Sequence, residues 1–211
     1  MQTLSDIVIE KIKDIIFSGK YSPNTHLNID EIAGLCQCSK TPVREALKKL
    51  TADGLVSYEP KIGFRVKYFT LSEYLKKYEI QELLEVYLIK KMAELSQSID
   101  FKNICTLNNN IAMLIREKKL TQIGDANDRF HDALYEGYYN EFIVEDLKHI
   151  WMEVKMQRNF MFHHPSFVQN ITKEHEGIIN ALKNSDSNAA EQAMIQHYKS
   201  GREAILFSQK W

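Results

Sequence analysis

The chain has 211 residues, 44% hydrophobic and 26% charged, with a formal net charge of −1. That balance belongs to a folded protein, and 8 Gly with 4 Pro exclude collagen-like, low-complexity and turn-dense all-β chains. No apolar run approaches the roughly 18 residues a membrane-spanning helix needs, and Met1-Gln2-Thr3-Leu4-Ser5-Asp6 lacks the basic start and cleavage site of a secretory signal. Three cysteines (Cys36, Cys38, Cys105) make no disulfide framework. The expectation is a cytoplasmic protein of one large domain or two small ones, without membrane contact.

In chain order, residues 5 to 18 place Val8, Ile12, Ile15 and Ile16 on one helical stripe, stopped by Gly19 and Pro23. A second helix begins at Asn28, whose side chain can cap free amides, with Glu31 three residues on as in a capping box; it runs through Ile32, Ala33 and Leu35. Ser39 is the expected N-cap of a third helix, Pro42 is tolerated in its first turn, and Asp53-Gly54 ends it. Two β-leaning runs follow, Leu55 to Tyr58 and Phe64 to Phe69, joined by Pro60-Lys61-Ile62-Gly63. Three helices and a hairpin in that order make a winged helix-turn-helix.

From about Leu71 the pattern is helical throughout. Six stretches are expected, carried by Leu75, Tyr78, Leu83, Tyr87, Leu88, Met92 and Leu95; by Ile104, Leu107, Ile111 and Leu114; by Ile123, Phe130 and Leu134; by Phe142, Leu147, Ile150, Trp151 and Val154; by Ile171, Ile178 and Leu182; and by Ala190, Ala193, Met194 and Ile205. Breaks are expected near Asp100, Thr121, Tyr139-Asn140, His164-Pro165 and Ser185-Asp186-Ser187. The fold class is therefore mainly α. Residues 1–68 form a winged helix-turn-helix with a small hairpin wing, and residues 69–211 an all-helical antiparallel bundle of about six helices.

Charge follows the same division. Residues 1–68 hold 10 basic and 8 acidic residues, net +2; residues 69–211 hold 17 and 20, net −3. On the third helix, at about 100° per residue, Val43, Ala46, Leu47 and Leu50 share one arc, and Lys40, Thr41, Arg44 and Lys48 the neighbouring one. One face can pack while the other offers donors and charge to a major groove, and the free amides of the helix start suit a phosphate oxygen. Arg44 is the candidate base reader; Lys40, Thr41 and Lys48 are phosphate contacts that set register. Ser39 and Pro42 at the helix start, and Lys61 and Gly63 at a wing tip that can reach the minor groove, complete the set. On pattern alone the same helix also reads as a solvated surface helix.

Six of the seven histidines lie beyond residue 68. Asn127 and Asp128 stand at i−4 and i−3 from His131, while His175 and His197 fall on two later helices beside core-type residues. Three imidazoles and one oxygen, converging inside a bundle, would make a site for a divalent first-row metal; by spacing alone, three histidines on three helices are more often separate, partly buried residues with hydrogen-bond partners. His163-His164-Pro165 reads as loop, His149 as a surface or interface residue without a role, and the tyrosines and Trp151 as core.

Residues 5 to 68 resemble the N-terminal domain of the GntR family of bacterial transcription regulators. The resemblance rests on Leu27-Asn28-Ile29-Asp30-Glu31-Ile32-Ala33, on Ser39 to Leu47, on Asp53-Gly54-Leu55-Val56 and on Gly63-Phe64-Arg65-Val66. Family members usually carry Arg where Lys40 stands, and often a glycine-valine pair where Gln37-Cys38 stands. Residues 72 to 211 resemble the helical effector domain (FCD type) of the FadR subfamily through Phe130-His131, Glu174-His175-x-x-Ile178 and Ala193-Met194-x-x-His197.

The resemblance implies a homodimer on a near-palindromic DNA operator, repression, and a small carboxylate metabolite bound in the bundle beside a divalent metal. The metal is zinc, with nickel and manganese as alternatives. The implied ligands are His131, His175 and His197, with Asn127 where the family has Asp, and Asp128 as a substitute oxygen ligand. The family also has Arg before a Glu in the first bundle helix. Here Gln81 occupies that region, so Gln81 and Arg158 are the candidate effector contacts, a solvated surface Arg158 being the alternative. No nucleophile paired with a histidine is evident, so the protein is expected not to be an enzyme. The rival readings are a metal sensor without organic effector and a helical-bundle metalloenzyme.

Overall fold

The computed structural model describes residues 4–17, 20–158, 162 and 165–208. Among these it forms nine α-helices, a short 3-10 turn and one hairpin. Gly19, His163 and His164 lie outside the described residues. The chain divides into two compact units, Met1–Thr70 with Trp151–Met156, and Leu71–Ile150 with Gln157–Trp211.

The first unit contains α1 (Leu4–Phe17), α2 (Ile29–Cys36), α3 (Lys40–Ala52), β1 (Val56–Glu59) and β2 (Gly63–Val66). Its core joins Val8, Ile12 and Ile16 to Ile32, Val43, Leu47, Leu50, Val56 and Val66, each essentially buried. Burying each such side chain stabilises the unit by about 1.5–3 kcal/mol. Two helices differ from the expected stripes. Ile9 is buried and Ile15 only partly so, and on α2 Cys36 is buried while Leu35 is exposed.

Asn28 caps α2, its Oδ1 accepting from the amides of Asp30 and Glu31. Glu31 makes a different bond from the one expected, accepting from Tyr21 Oη at 2.7 Å. Gln37 closes the helix in the left-handed conformation (φ 54), a position glycine fills at lowest cost. Ser39 stands at the N-cap of α3 without a side-chain cap bond. The hairpin is antiparallel, Val56 opposite Val66 and Glu59 opposite Gly63; β1 starts one residue late and β2 ends before Phe69. The far edge of β2 is covered by residues 24–27, where Leu27 N donates to Phe64 O and Val66 N to Thr25 O.

The second unit contains α4 (Leu71–Glu94), the 3-10 turn (Ser96–Ser98), α5 (Phe101–Arg116), α6 (Leu120–Leu134), α7 (Glu141–Arg158) apart from its residues 151–156, which group with the first unit, α8 (Pro165–Lys183) and α9 (Ser187–Ser208). α9 packs on α4 and α8, and α5 on α6 and α8. Asp100 and Asp186 cap α5 and α9 by accepting the amides of Asn103 and Ala189. The break expected near Thr121 falls at 117–119, where Lys118 turns left-handed (φ 57) and Thr121 lies inside α6. Pro165, expected in a loop, opens α8.

The largest departure is the phase of α4. Its buried line is Tyr74, Tyr78, Gln81, Glu85, Leu88 and Met92, whereas Leu83 and Tyr87 are exposed. The helix carries two apolar stripes, and the buried one includes two polar residues: Glu85 is satisfied by partners inside the bundle, and Gln81 bonds to Glu85 through its Nε2. Phe142 on α7 is likewise exposed.

Candidate nucleic-acid interface and buried histidine site

The orientation of α3 follows from its core face. Val43, Ala46, Leu47 and Leu50 are all fully buried, so the neighbouring arc faces outward. Ser39, Lys40, Thr41, Arg44 and Lys48 are exposed and Pro42 is half-buried. Lys40 Nζ meets Asp30 Oδ1 at 2.5 Å on this surface, an exposed pair worth about 0–1 kcal/mol that a phosphate can displace.

At the wing, Lys61 is exposed with φ 71, and Gly63 is half-buried with φ 101. A Cβ on Gly63 would stand 3.1 Å from His26 Nε2 and would be strained by its backbone as well. His26 Nε2 donates to Ile62 O at 3.0 Å, tying the wing tip to the residues before α2. A groove of about 370 Å³ lies between wing and helix, lined by Asn28, Asp30, Lys40, Arg44, Tyr58 and Lys61 among others. Tyr58, Asp30 and His26 join this groove without standing among the residues expected to contact DNA. His26, the single histidine before residue 69, was the available signal.

In the second unit, α6, α8 and α9 bring His131, His175 and His197 together, with one potential ligand atom of each within 4.8 Å of the others. All three are buried. The His175 ring stacks on Phe130 with centroids 3.8 Å apart.

Each Nδ1 is already engaged. His131 Nδ1 meets Glu85 Oε2 at 2.6 Å, His197 Nδ1 meets Glu174 Oε2 at 2.9 Å, and His175 Nδ1 meets Asn108 Oδ1 at 3.0 Å. Asn108 is oriented by its own bond, Nδ2 donating to Thr172 O at 3.0 Å, so its oxygen faces the imidazole and Nδ1 carries the proton. In the neutral ring Nε2 is then a lone pair. His175 Nε2 is buried without a hydrogen-bond partner, and so is Asn127 Oδ1, one turn before His131. Each is a buried acceptor left unsatisfied, which is costly, and a cation held by the three imidazoles satisfies that of His175. The donor set therefore fits a metal of the imidazole-preferring kind.

Glu85 anchors the cluster from α4. It accepts from His131, from Tyr135 Oη at 2.9 Å and from Tyr198 Oη, at 1% exposure. Burial alone would push its carboxyl up. The charge and hydrogen bond of His131, then the hydroxyls of Tyr198 and Tyr135, outweigh that and hold it down at about 2. Burial, followed by the neighbouring His197 and His131, drives His175 well below the usual imidazole range. It stays neutral, as a ligand must.

Asp128 is placed otherwise than expected. About 100° around the helix from Asn127, it accepts from Arg158 Nη2 and stands outside the histidine group. In this arrangement it is paired with Arg158 and is not grouped with the histidines. Arg158 is 4% exposed, which removes the solvated-surface alternative, and its Nε has no partner. Gln81 is buried, its Nε2 donating to Glu85 Oε1 at 3.4 Å and its Oε1 unpartnered. The residues not foreseen are Glu85, Asn108 and Glu174 as imidazole partners. A polar residue at a core register position was the signal for the first two.

Residues 4–66 match the family described as bacterial regulatory proteins, gntR family, and residues 77–200 match the FCD domain. The HTH-type transcriptional repressor RspR of Escherichia coli K12 is 25% identical over 187 residues, covering 87% of this chain and 81% of that protein. The gluconate operon transcriptional repressor of Bacillus subtilis is 23% identical over 189 residues, covering 87% and 77%. In fold, the chain is similar to E. coli McbR/YncC, with a TM-score of 0.86 at 21% identity over the whole of both chains. Family and relatives regulate transcription and are not enzymes. An exposed cationic helix edge beside a wing, and a helical unit with a histidine cluster, thus belong to one known arrangement: the chain is a member of the gntR family of bacterial regulatory proteins, a DNA-binding transcription regulator with an FCD domain.

Proposed function

We propose that the chain is a repressor that binds a near-palindromic operator as a homodimer in the cytoplasm, and that a small carboxylate metabolite in the helical unit adjusts that binding. Arg44 reads a base edge; Lys40, Thr41, Lys48 and the α3 amides hold phosphates; Ser39 and Pro42 shape the helix start; Lys61 and Gly63 bring the wing to the minor groove. Support comes from the outward arc of α3 and from relatives named as repressors.

His131, His175, His197 and Asn127 hold a divalent metal, zinc by the character of the donors. When bound, the metal supplies positive charge for the metabolite's carboxylate. Arg158 Nε and Gln81 Oε1, both buried and unpartnered, are the side chains that meet the rest of the metabolite. For the metabolite to act, a DNA-competent and a DNA-incompetent arrangement of the dimer must bind it unequally.

The observation that carries the sensor reading is the convergence of three buried imidazoles with every Nδ1 already taken. Elemental analysis of purified protein, with mass spectrometry of small acids released on denaturation, tests it. About one divalent metal per chain with a co-released carboxylate is expected, both lost in His175→Ala. Full metal content in that variant would remove the assignment. A chelator that alone abolishes operator binding, with no acid released from the protein, would favour the metal-only sensor.

A further inference from the structure

A dication enclosed in a buried site needs compensating negative charge close by, yet the four candidate ligands here are neutral: three imidazoles and the Asn127 amide. Two carboxylates stand one hydrogen bond behind the ligands. Glu85 takes Nδ1 of His131 at 2.6 Å and Glu174 takes Nδ1 of His197 at 2.9 Å. Their two charges equal the charge of the ion. The third imidazole, His175, is backed by the neutral Asn108. Asp128, the residue after Asn127 on α6, is matched by Arg158. We propose that Glu85 and Glu174 are positioning residues that carry, through His131 and His197, the anionic charge that Asn127 does not supply, so that affinity for the ion is set from behind the ligands.

The chemistry is specific. A carboxylate on Nδ1–H pushes electron density through the ring and makes Nε2 a stronger donor, besides fixing its tautomer. Glu85 is held on three sides, by His131, Tyr135 and Tyr198, so its charge cannot swing away from the ring. Glu174 is less enclosed, its side chain 14% exposed, and can be altered with less effect on the fold. The inference rests on the metal reading above and goes further in locating the charge.

The test uses the full chain and zinc, measured by competition against a chromophoric chelator, with cobalt absorption as a record of ligand geometry. Glu174→Gln is expected to weaken zinc binding by about 10-fold or more, with the metal-free melting temperature unchanged. Glu85→Gln is expected to weaken it at least as much. Asn127→Asp, which returns a charge to the ligand set, should tighten binding in the wild type and restore it in Glu174→Gln, with the cobalt spectrum retained. Equal zinc affinity in wild type and Glu174→Gln, or no restoration by Asn127→Asp, would overturn the proposal while leaving the metal site standing. If Glu85→Gln does not fold, Glu174→Gln and its rescue decide the matter alone. A wild-type chain that takes up no zinc at all would overturn the metal reading itself.

Discussion

The two units put their functional residues on opposite sides of the core boundary. In the first, the residues proposed to meet DNA are on the outside, and the core beneath them fixes only which way they face: four buried apolar positions on α3 turn Lys40, Arg44 and Lys48 outward. In the second, the proposed metal ligands are themselves core. His131, His175 and His197 are buried on three helices, and two of their hydrogen-bond partners come from two more, Glu85 on α4 and Asn108 on α5. A surface reader tolerates change around it; a buried site is at once ligand set and packing. That difference predicts how each should fail.

The largest expected effect lies beneath the reader. Leu47→Ala removes a fully buried side chain and should cost about 2–5 kcal/mol, seen as a lower denaturant midpoint and lost DNA binding. A loss below 1 kcal/mol would mean that α3 is not oriented by this core. Arg44→Ala, by contrast, alters only the surface. It should cost about 1–3 kcal/mol of binding and relax preference at one base position, with folding unchanged. Smaller still, Lys48→Ala should weaken all duplexes alike and lower the salt slope by about 1; a change in base preference would assign it to reading instead.

The smallest effect is one of stability. Gln37→Gly relieves a left-handed residue at the end of α2 and should stabilise the protein by about 0.5–1 kcal/mol, read as a higher midpoint with DNA affinity kept. Destabilisation there would show that the Gln37 side chain contributes contacts worth more than the strain.

Legibility divides along the same line. In the first unit the signals are local: the Asn28 cap, the Val43 to Leu50 stripe and Gly54 at φ 77 act within a few residues, so helix order, hairpin and outward arc could be read from the sequence. Glu31 escaped because its partner, Tyr21, lies ten residues away. In the second unit the helices were legible by period, but the phase of α4 was not. Choosing between its two apolar stripes depends on His131, Tyr135 and Tyr198, which are 46, 50 and 113 residues from Glu85.

The three histidines could be singled out by motif, whereas Asn108 and Glu174 acquire meaning only once the bundle closes. Asp128 illustrates the limit at a single residue. One position decides between the face of His131 and the face of Arg158, and spacing alone left both open.

The division of labour between the units is tested most directly by the ratio of affinities for a duplex selected from a randomised pool and for its scrambled counterpart, measured by fluorescence anisotropy in wild type, Arg44→Ala and His197→Ala. His197→Ala should shift absolute affinity while keeping the wild-type ratio, and Arg44→Ala should collapse the ratio toward one with metal content intact. A His197→Ala protein that loses sequence preference, or an Arg44→Ala protein that retains it, would contradict the account.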